Sequence, residues 1–229
     1  GEKYDDLVEI PIQVEDLNSN NAFDAGDYVL FYAEGPDKWQ YNSTQGRYTF
    51  QKHIYSDFAY YFLNFDIGAG LRINSQPQST NYNNIVTSFA DYAIYQKDLI
   101  QPIKSGRLWL GEEFNVELSQ NFNFSFPNLV SETPVHLRTQ VAARYVTGNT
   151  AGAMSSFRVS VNGTQVQNVS VTSVTGNYES WYARLASGST TFNANSSDLT
   201  VNLTYSRPAV SAIGWLDFIE LNARRQLIF

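Results

Sequence analysis

Apolar side chains recur at every second position in many segments of this sequence, and this alternation constrains the fold more than any other feature. It is clearest in five segments: 8–14, 122–126, 135–141, 157–161 and 199–205. A period of two residues is typical of a β-strand with one buried face. No dozen residues show the helical period of 3.6, and the best helical candidate, 86–95, is rich in β-branched and aromatic residues. The sequence therefore predicts an all-β protein.

Two further patterns refine this prediction. Asn162-Gly163 directly follows the segment 157–161, and this dipeptide is the strongest short signal for a hairpin turn. The returning strand, 166–171, breaks strict alternation, which indicates an irregular register. The segment 214–221 is densely apolar and predicts a strand that is covered on both faces.

The strand pattern divides the chain into three parts. Residues 1–84 are predicted to form an N-terminal β-domain, with candidate strands at 8–14, 28–33, 46–52, 59–64 and 71–74. Residues 85–114 alternate aromatic and charged residues without clear strand limits, and we expect them to be an extended linker packed against both domains. Residues 115–229 carry many strands at short spacing. They predict a β-sandwich of jelly-roll type, with an immunoglobulin-like sandwich as the alternative.

Charge and composition exclude several classes of function. The chain has 15 Lys and Arg against 22 Asp and Glu, a formal net charge of −7, and no basic run. Nucleic acids and anionic membranes are bound by clustered Lys and Arg, so neither is an expected partner. The chain has no cysteine, which excludes disulfides and a cysteine nucleophile within it. No cofactor and no metal centre are expected.

The two histidines do not define a catalytic site. His53, Ser56 and Asp57 are close in sequence, but a strained nucleophile turn such as Gly-x-Ser-x-Gly is missing. His136 lies on the polar side of an alternating segment, where exposure is expected. We therefore predict that this chain carries no catalytic residue.

Clustered carboxylates can act as ion ligands or as an acid–base pair. Glu112 and Glu113 are adjacent, so in an extended chain they point to opposite faces and cannot serve one site. Asp24 and Asp27 flank a turn and could offer oxygen ligands to an ion, although the twelve-residue calcium-loop pattern is missing. Acids that cap the turn are the preferred interpretation.

Aromatic residues make up 15% of the chain. Exposed Trp and Tyr on a β-sandwich stack on sugar rings, which makes a carbohydrate-binding module one interpretation. The candidates near turns are Trp39, Tyr41, Tyr178, Trp181 and Tyr182. Packing of aromatic side chains in the core is the preferred alternative.

Three ordered segments resemble a known family. They read FDAGDYVLFYAEGPDKW at 23–39, HIYSDFAYYFL at 53–63, and YQKD at 95–98 followed by SGRLWLGEEF at 105–114. In this order they resemble the region that precedes the peptidase domain in the PorU group of gingipain-type cysteine peptidases. These are surface sortases of the type IX secretion system of Bacteroidetes. The resemblance covers about residues 8–114.

This resemblance implies an enzyme whose active part lies elsewhere. The family has its Cys–His dyad on a caspase-like domain that follows this region, cleaves the C-terminal signal domain from secreted cargo, and attaches the cargo to a surface lipopolysaccharide. The present chain would be the non-catalytic N-terminal region of such a sortase, exported through the periplasm to the cell surface or outer membrane. The implied partners are the downstream peptidase domain, secreted cargo, and an outer-membrane anchor or shuttle protein. A carbohydrate-binding module or a surface adhesin domain is the rival interpretation.

Several residues of the resembling segments have predicted structural roles. Gly35-Pro36 should end the strand 28–33, because proline lacks an amide donor, and Trp39 should cover the end of that strand.

The last segment predicts an anchor for the linker. Arg107 and Trp109 share one face if this segment is extended. A buried Trp109, with Arg107 paired to Glu112 or Glu113, would then lock the linker between the domains, and the same loop would dock the peptidase domain.

Overall fold

The computed structural model describes residues 7–65, 68–103, 108–147, 152 and 154–228. Within this part of the chain every regular element is a β-strand, so the all-β prediction is confirmed. The strands are β1 (Ile12–Glu15), β2 (Tyr28–Phe31), β3 (Lys38–Asn42), β4 (Arg47–Gln51), β5 (Ser88–Gln96), β6 (Glu113–Phe114), β7 (Ser119–Ser125), β8 (Val135–Arg144), β9 (Met154–Val161), β10 (Thr164–Thr172), β11 (Arg184–Phe192), β12 (Asp198–Ser206) and β13 (Ile213–Gln226).

The chain folds as two compact units. The N-terminal unit comprises Gly1–Lys38 and Lys52–Ile85, and the sandwich unit comprises Trp39–Gln51 and Val86–Phe229. Most of the β3–β4 hairpin therefore belongs to the sandwich unit, although it lies within the N-terminal unit in sequence.

The N-terminal unit contains one antiparallel pair, β1 with β2, in which Ile12 pairs with Phe31. Ile12 also forms a parallel bridge with Arg72, and the Ile73 amide donates to the Ile12 carbonyl at 3.0 Å. The candidate strand at 71–74 is thus reduced to this bridge. The predicted strand at 59–64 is not formed, despite its aromatic and aliphatic content.

Besides the β3–β4 hairpin, the described part of the sandwich unit contains two larger sheets in which all neighbouring strands are antiparallel. The four-stranded sheet has the order β10-β9-β12-β7, and the other has the order β11-β8-β13-β5, with β6 also pairing with β13. Apart from the β9–β10 hairpin, each of the eight long strands is followed by a long strand of the other sheet. This is the strand order of a jelly roll, not the ABED and CFG sheets of an immunoglobulin-like sandwich.

Alternating side chains from both sheets build the core. The largest fully buried side chains include Tyr205, Phe114, Phe126, Phe157, Leu137, Leu199, Leu203, Leu216, Ile219 and Leu221. In β13 the register shifts between Leu216 and Phe218. This bulge lets Leu216 and Ile219 both face the core, although their sequence separation of three would place them on opposite faces of a regular strand.

The β9–β10 hairpin follows the sequence prediction closely. Asn162 and Gly163 have φ values of 47° and 84°, which a type I′ turn requires and which Gly adopts without strain. The register shifts between Gln165 and Gln167, which confirms the predicted irregularity.

The segment 85–114, predicted as a linker, contains two strands. The nine residues of β5 pair with β13 from Phe218 to Gln226, and β6 pairs with Gly214 and Trp215. Between them, Ile100 and Leu110 form an antiparallel bridge. This part of the chain is therefore largely integrated into the sandwich unit.

Candidate interaction surfaces

The β3–β4 hairpin lies on the outer face of the sheet that contains β13. The two strands pair with each other, and side chains of β13, not a strand of that sheet, bind the backbone of β4. The Tyr48 amide donates to Asn222 Oδ1 at 2.7 Å, and Asn222 Nδ2 donates to the Tyr48 carbonyl at 3.0 Å. The Phe50 amide donates to Glu220 Oε2 at 2.9 Å. These bonds explain how Glu220 and Asn222, only 2% and 6% exposed, are tolerated on an apolar strand.

Aromatic rings fill the space beside these hydrogen bonds. The Trp39 ring lies 4.0 Å from that of Tyr92 on β5 and 5.0 Å from that of Phe50. The Tyr48 ring lies 4.5 Å from that of Tyr92. Trp39 was expected to cover the end of the strand 28–33; its rings instead pack on β4 and β5 of the sandwich unit.

Glu220 also forms a salt bridge beneath the hairpin. Arg138 Nη2 lies 2.8 Å from Glu220 Oε2, and Arg138 Nε lies 3.2 Å from Glu220 Oε1. The guanidinium stacks 4.6 Å from the ring centre of Phe218. The carboxylate is thus bound by two guanidinium N–H groups and one backbone amide, which compensates for its loss of water.

His136 lies on the same outer face of β8. Its Nε2 and the Ser189 hydroxyl are 3.1 Å apart, while its buried Nδ1 has no hydrogen-bond partner in the described part of the chain. Burial lowers the pKa of His136 below its usual 6.5, and the cations Arg47 and Arg138 add to this, against a smaller opposing effect of Glu220. The folded protein therefore favours the neutral imidazole.

This lowered pKa predicts a loss of stability in weak acid. The unfolded chain takes up the His136 proton near pH 6.5, whereas the folded chain takes it up at lower pH. The stabilisation is complete above about pH 6.5 and is lost as the pH falls through the folded pKa. We expect urea unfolding between pH 7.5 and 5.0 to show a smaller decline for His136→Gln than for the unchanged chain. Equal declines in His136→Gln and in the unchanged chain would contradict the assignment.

The predicted anchor of the linker differs from the observed one. Trp109 is 43% exposed rather than buried, while the next residue, Leu110, is fully buried with Ala142 and Trp215. Arg107 lies outside the described residues. The expectation of a buried Trp109 is wrong because the Ile100–Leu110 bridge turns Leu110, not Trp109, toward the sheet.

Glu112 and Glu113 contact different groups, as expected for neighbours on an extended chain. Glu112 Oε1 accepts a hydrogen bond from the Tyr95 hydroxyl and lies 3.5 Å from Lys97 Nζ. Burial, together with the bond to Glu112, raises the pKa of Tyr95. Glu113 Oε2 accepts from the indole of Trp215 at 3.3 Å. Both acids therefore tie β6 and its approach to the sandwich.

The acids of the 16–27 loop accept hydrogen bonds from within that loop. Asp27 accepts from the amides of Leu17 and Asp24 at 3.0 and 2.8 Å. Asp24 accepts from the side-chain amides of Asn18 and Asn20. These contacts are those of turn-capping acids. Among the described residues, no three His, Cys, Asp or Glu side chains are placed to share a metal ion.

Gly35 and Pro36 lie in an irregular segment after β2, which ends earlier, at Phe31. Tyr61 donates its hydroxyl to the Glu34 carbonyl at 2.5 Å, and its ring lies 5.6 Å from that of Phe31. The strand therefore ends four residues before Gly35, and Gly35-Pro36 does not form its end.

The aromatic residues between β10 and β11 are exposed. Tyr178 is fully exposed, and Trp181 and Tyr182 are 69% and 40% exposed. The Arg144 guanidinium stacks 4.1 Å from the Tyr182 ring centre. These three aromatic residues lie in a loop and not on a strand. The described outward-facing residues of the four-stranded sheet include no aromatic side chain.

Most of the exposed large apolar side chains among the described residues belong to the N-terminal unit. No described side chain of this unit is buried. Its segment 54–65 exposes eight large apolar side chains: Ile54, Tyr55, Phe58, Tyr60, Tyr61, Phe62, Leu63 and Phe65. We call this segment the aromatic segment. The strand predicted at 59–64 lies within it, and the sequence pattern does not predict this exposure. A run of exposed large apolar side chains is typical of a site that another structure covers.

The fold and these surfaces define an all-β protein: a jelly-roll sandwich preceded by a coreless unit rich in exposed aromatic residues. In the described part of the chain, no helix has the length and hydrophobicity to cross a membrane. No protein-family model and no curated protein matches the sequence.

The fold is similar to part of a solved structure, that of dimeric latent PorU from Porphyromonas gingivalis. The two share 21% sequence identity with a TM-score of 0.71 over 96% of this chain. This chain spans 20% of the length of that PorU chain. The similarity establishes a shared fold.

Two CBM36 structures are also matched more distantly. One is the CBM36-1 domain of a multidomain xylanase from the hindgut metagenome of Trinervitermes trinervoides, at 8% identity and a TM-score of 0.36, over 57% of this chain and 96% of that domain. The other is CBM36 in complex with calcium and xylotriose, at 11% identity and a TM-score of 0.32, over 59% of this chain and 99% of that chain.

Proposed function

We propose that this chain is the non-catalytic interaction region of a PorU-like surface sortase of the type IX secretion system. The observation that carries this proposal is the aromatic segment, whose apolar side chains are exposed on a unit in which no described side chain is buried. The fold shared with PorU and the ordered resemblance over residues 8–114 support the assignment. The region acts at the cell surface or outer membrane by positioning other modules, not by bond chemistry of its own.

The aromatic segment fits a covering protein surface. From residue 58 to residue 65 it contains no charged side chain, and burial of each large apolar side chain contributes roughly 1.5–3 kcal/mol. The segment begins at a local turn, where the amides of Tyr55 and Ser56 donate to His53 Nδ1. A short apolar segment with high β-propensity aggregates when left open, so its cover is part of the functional protein.

The proposed cover is the downstream peptidase domain of the same polypeptide. That domain would be held against the N-terminal unit, and cargo bound by either partner would be oriented for cleavage and attachment. An outer-membrane anchor or shuttle protein is the other proposed partner, bound through the remaining exposed surface.

Hydrogen exchange tests this proposal. We expect the amides of residues 58–65 to exchange at least tenfold more slowly in the full-length sortase than in this 229-residue chain. The double variant Tyr60→Ser/Phe62→Ser in the full-length protein should abolish that protection, because it removes two exposed rings without altering the amides.

Tyr82→Ser is the matched control, since Tyr82 is 72% exposed in the same unit but outside the aromatic segment. It should leave the protection intact. Equal exchange of residues 58–65 in the short and full-length proteins would refute the proposal.

A further inference from the structure

The outer face of the four-stranded sheet is polar and falls into two halves. In the half formed by β7 and β12, side chains bind one another. Asn202 Nδ2 donates to Asn121 Oδ1 at 2.7 Å, and Thr200 Oγ1 donates to Asn123 Oδ1 at 2.9 Å. The hydrogen-bonding capacity of this half is therefore largely used within the protein.

The half formed by β9 and β10 is different. Arg158, Ser160 and Gln165 make no side-chain hydrogen bond or ion pair with any other described residue. Ser160 is 9% exposed, and its hydroxyl is not among the buried polar atoms of the described residues that lack a partner, so it retains contact with solvent. A hydroxyl and a guanidinium without protein partners on the same strand represent unused binding capacity.

These groups converge on one depression. It is an open depression of about 330 Å³, lined by Arg158, Ser160, Gly163, Gln165 and Asn202. Its volume is at the lower end of small-ligand sites. The lining contains no apolar side chain, and Gly163, at the positive φ of the hairpin turn, leaves one side open.

The charge on this face selects the ligand. Arg158 is the one cation among the outward-facing residues described on the four strands, and Asp198 is the one acid. Asp198, on β12, accepts a hydrogen bond at 2.8 Å from the hydroxyl of Ser125. Ser125 lies on β7, the edge strand farthest from β10. An anionic group is therefore the natural partner of the guanidinium, which binds carboxylates through charge-assisted hydrogen bonds.

The neutral lining selects the rest of the ligand. Hydroxyl and amide groups pair with sugar hydroxyls, whereas a peptide would need apolar pockets for its side chains. The absence of an aromatic platform on these strands argues against stacking of a neutral sugar. We infer that this depression binds an acidic sugar unit of a glycan, with its carboxylate on Arg158 and its hydroxyls on Ser160 and Gln165.

Titration of the 229-residue chain with trigalacturonate tests this site. Calorimetry measures the affinity, and amide NMR shifts locate the contact. We expect shifts centred on β9 and β10, and an affinity at least tenfold weaker for the fully methyl-esterified trisaccharide and for Arg158→Ala. Arg184→Ala, which removes an exposed arginine from the other sheet, should bind as the unchanged chain does.

Three results would overturn the inference: equal affinities for the acid and its methyl ester, equal affinities of Arg158→Ala and Arg184→Ala, or no shifts at millimolar trisaccharide. Inorganic phosphate is the separate arm for a free anion. If phosphate alone bound as tightly as trigalacturonate, the site would be an anion site without sugar recognition. These outcomes are independent of the exchange experiment on the aromatic segment, because the two surfaces share no residue.

Discussion

Replacing Arg138 by methionine should lower the free energy of unfolding by about 3 kcal/mol. The variant keeps an unbranched side chain over Phe218 but leaves the carboxylate of Glu220, which is 2% exposed, with only the Phe50 amide. A buried charge that loses its partner costs more than the pair contributed. Urea unfolding measures the change, with Arg184→Met as the exposed control.

The structural consequence should be local to the β3–β4 hairpin. Because the Phe50 amide binds the same Glu220 oxygen as the arginine, a displaced carboxylate also frees the hairpin. Trypsin should then cleave after Arg47, in β4, faster than in the unchanged chain.

The double variant Arg138→Met/Glu220→Leu separates the two contributions. It removes the charge together with its partner and should recover most of the lost stability. Two results would contradict this coupling of Arg138 and Glu220. In one, the free energy of unfolding of Arg138→Met lies within about 1 kcal/mol of that of Arg184→Met. In the other, the double variant is no more stable than Arg138→Met.

The strands with clear alternation were predictable because one face meets the core and the other meets water. β7, β8, β9 and β12 lie close to their predicted positions. β11 was not predicted, since its central residues Ser187, Gly188 and Ser189 show no apolar alternation. It is an edge strand that joins the sheet through its backbone pairing with β8.

β5 was obscured for the opposite reason. Its outward-facing Tyr92 is covered by the rings of Trp39 and Tyr48, so both faces of the strand carry aromatic residues. The cover comes from a hairpin some forty residues earlier in sequence. No local pattern in the segment 85–114 records that contact, which is why it was interpreted as a linker.

The candidate surfaces were less predictable than the fold. Glu220 and Arg138 appear in the sequence as ordinary members of two strands, and only the register between β13 and β8 makes them opposite neighbours. The depression at Arg158 likewise depends on pairing between β9, β10 and β12. Exposure of the aromatic segment reverses its sequence interpretation, because a strand-like pattern does not state where its pairing partner is.

Leu110, not Trp109, is the buried side chain of its segment, and this predicts which substitution there destabilises the protein. Leu110 is fully buried against Ala142 and Trp215, and its amide and carbonyl both bond to Ile100. Leu110→Ala should lower the free energy of unfolding by about 3 kcal/mol, since it removes transfer free energy and leaves a cavity. Trp109→Ala, at a side chain that is 43% exposed, should cost only about 1 kcal/mol.

Urea unfolding of the two single variants decides which side chain anchors the segment 97–111. A larger loss for Trp109→Ala than for Leu110→Ala would restore the tryptophan as the anchor and contradict the observed packing. The near-ultraviolet circular dichroism of Leu110→Ala should differ from that of the unchanged chain, because Leu110 packs in the small cluster with the Trp215 indole. The anchoring contact is therefore the aliphatic one, and the Trp109 ring lies at the surface.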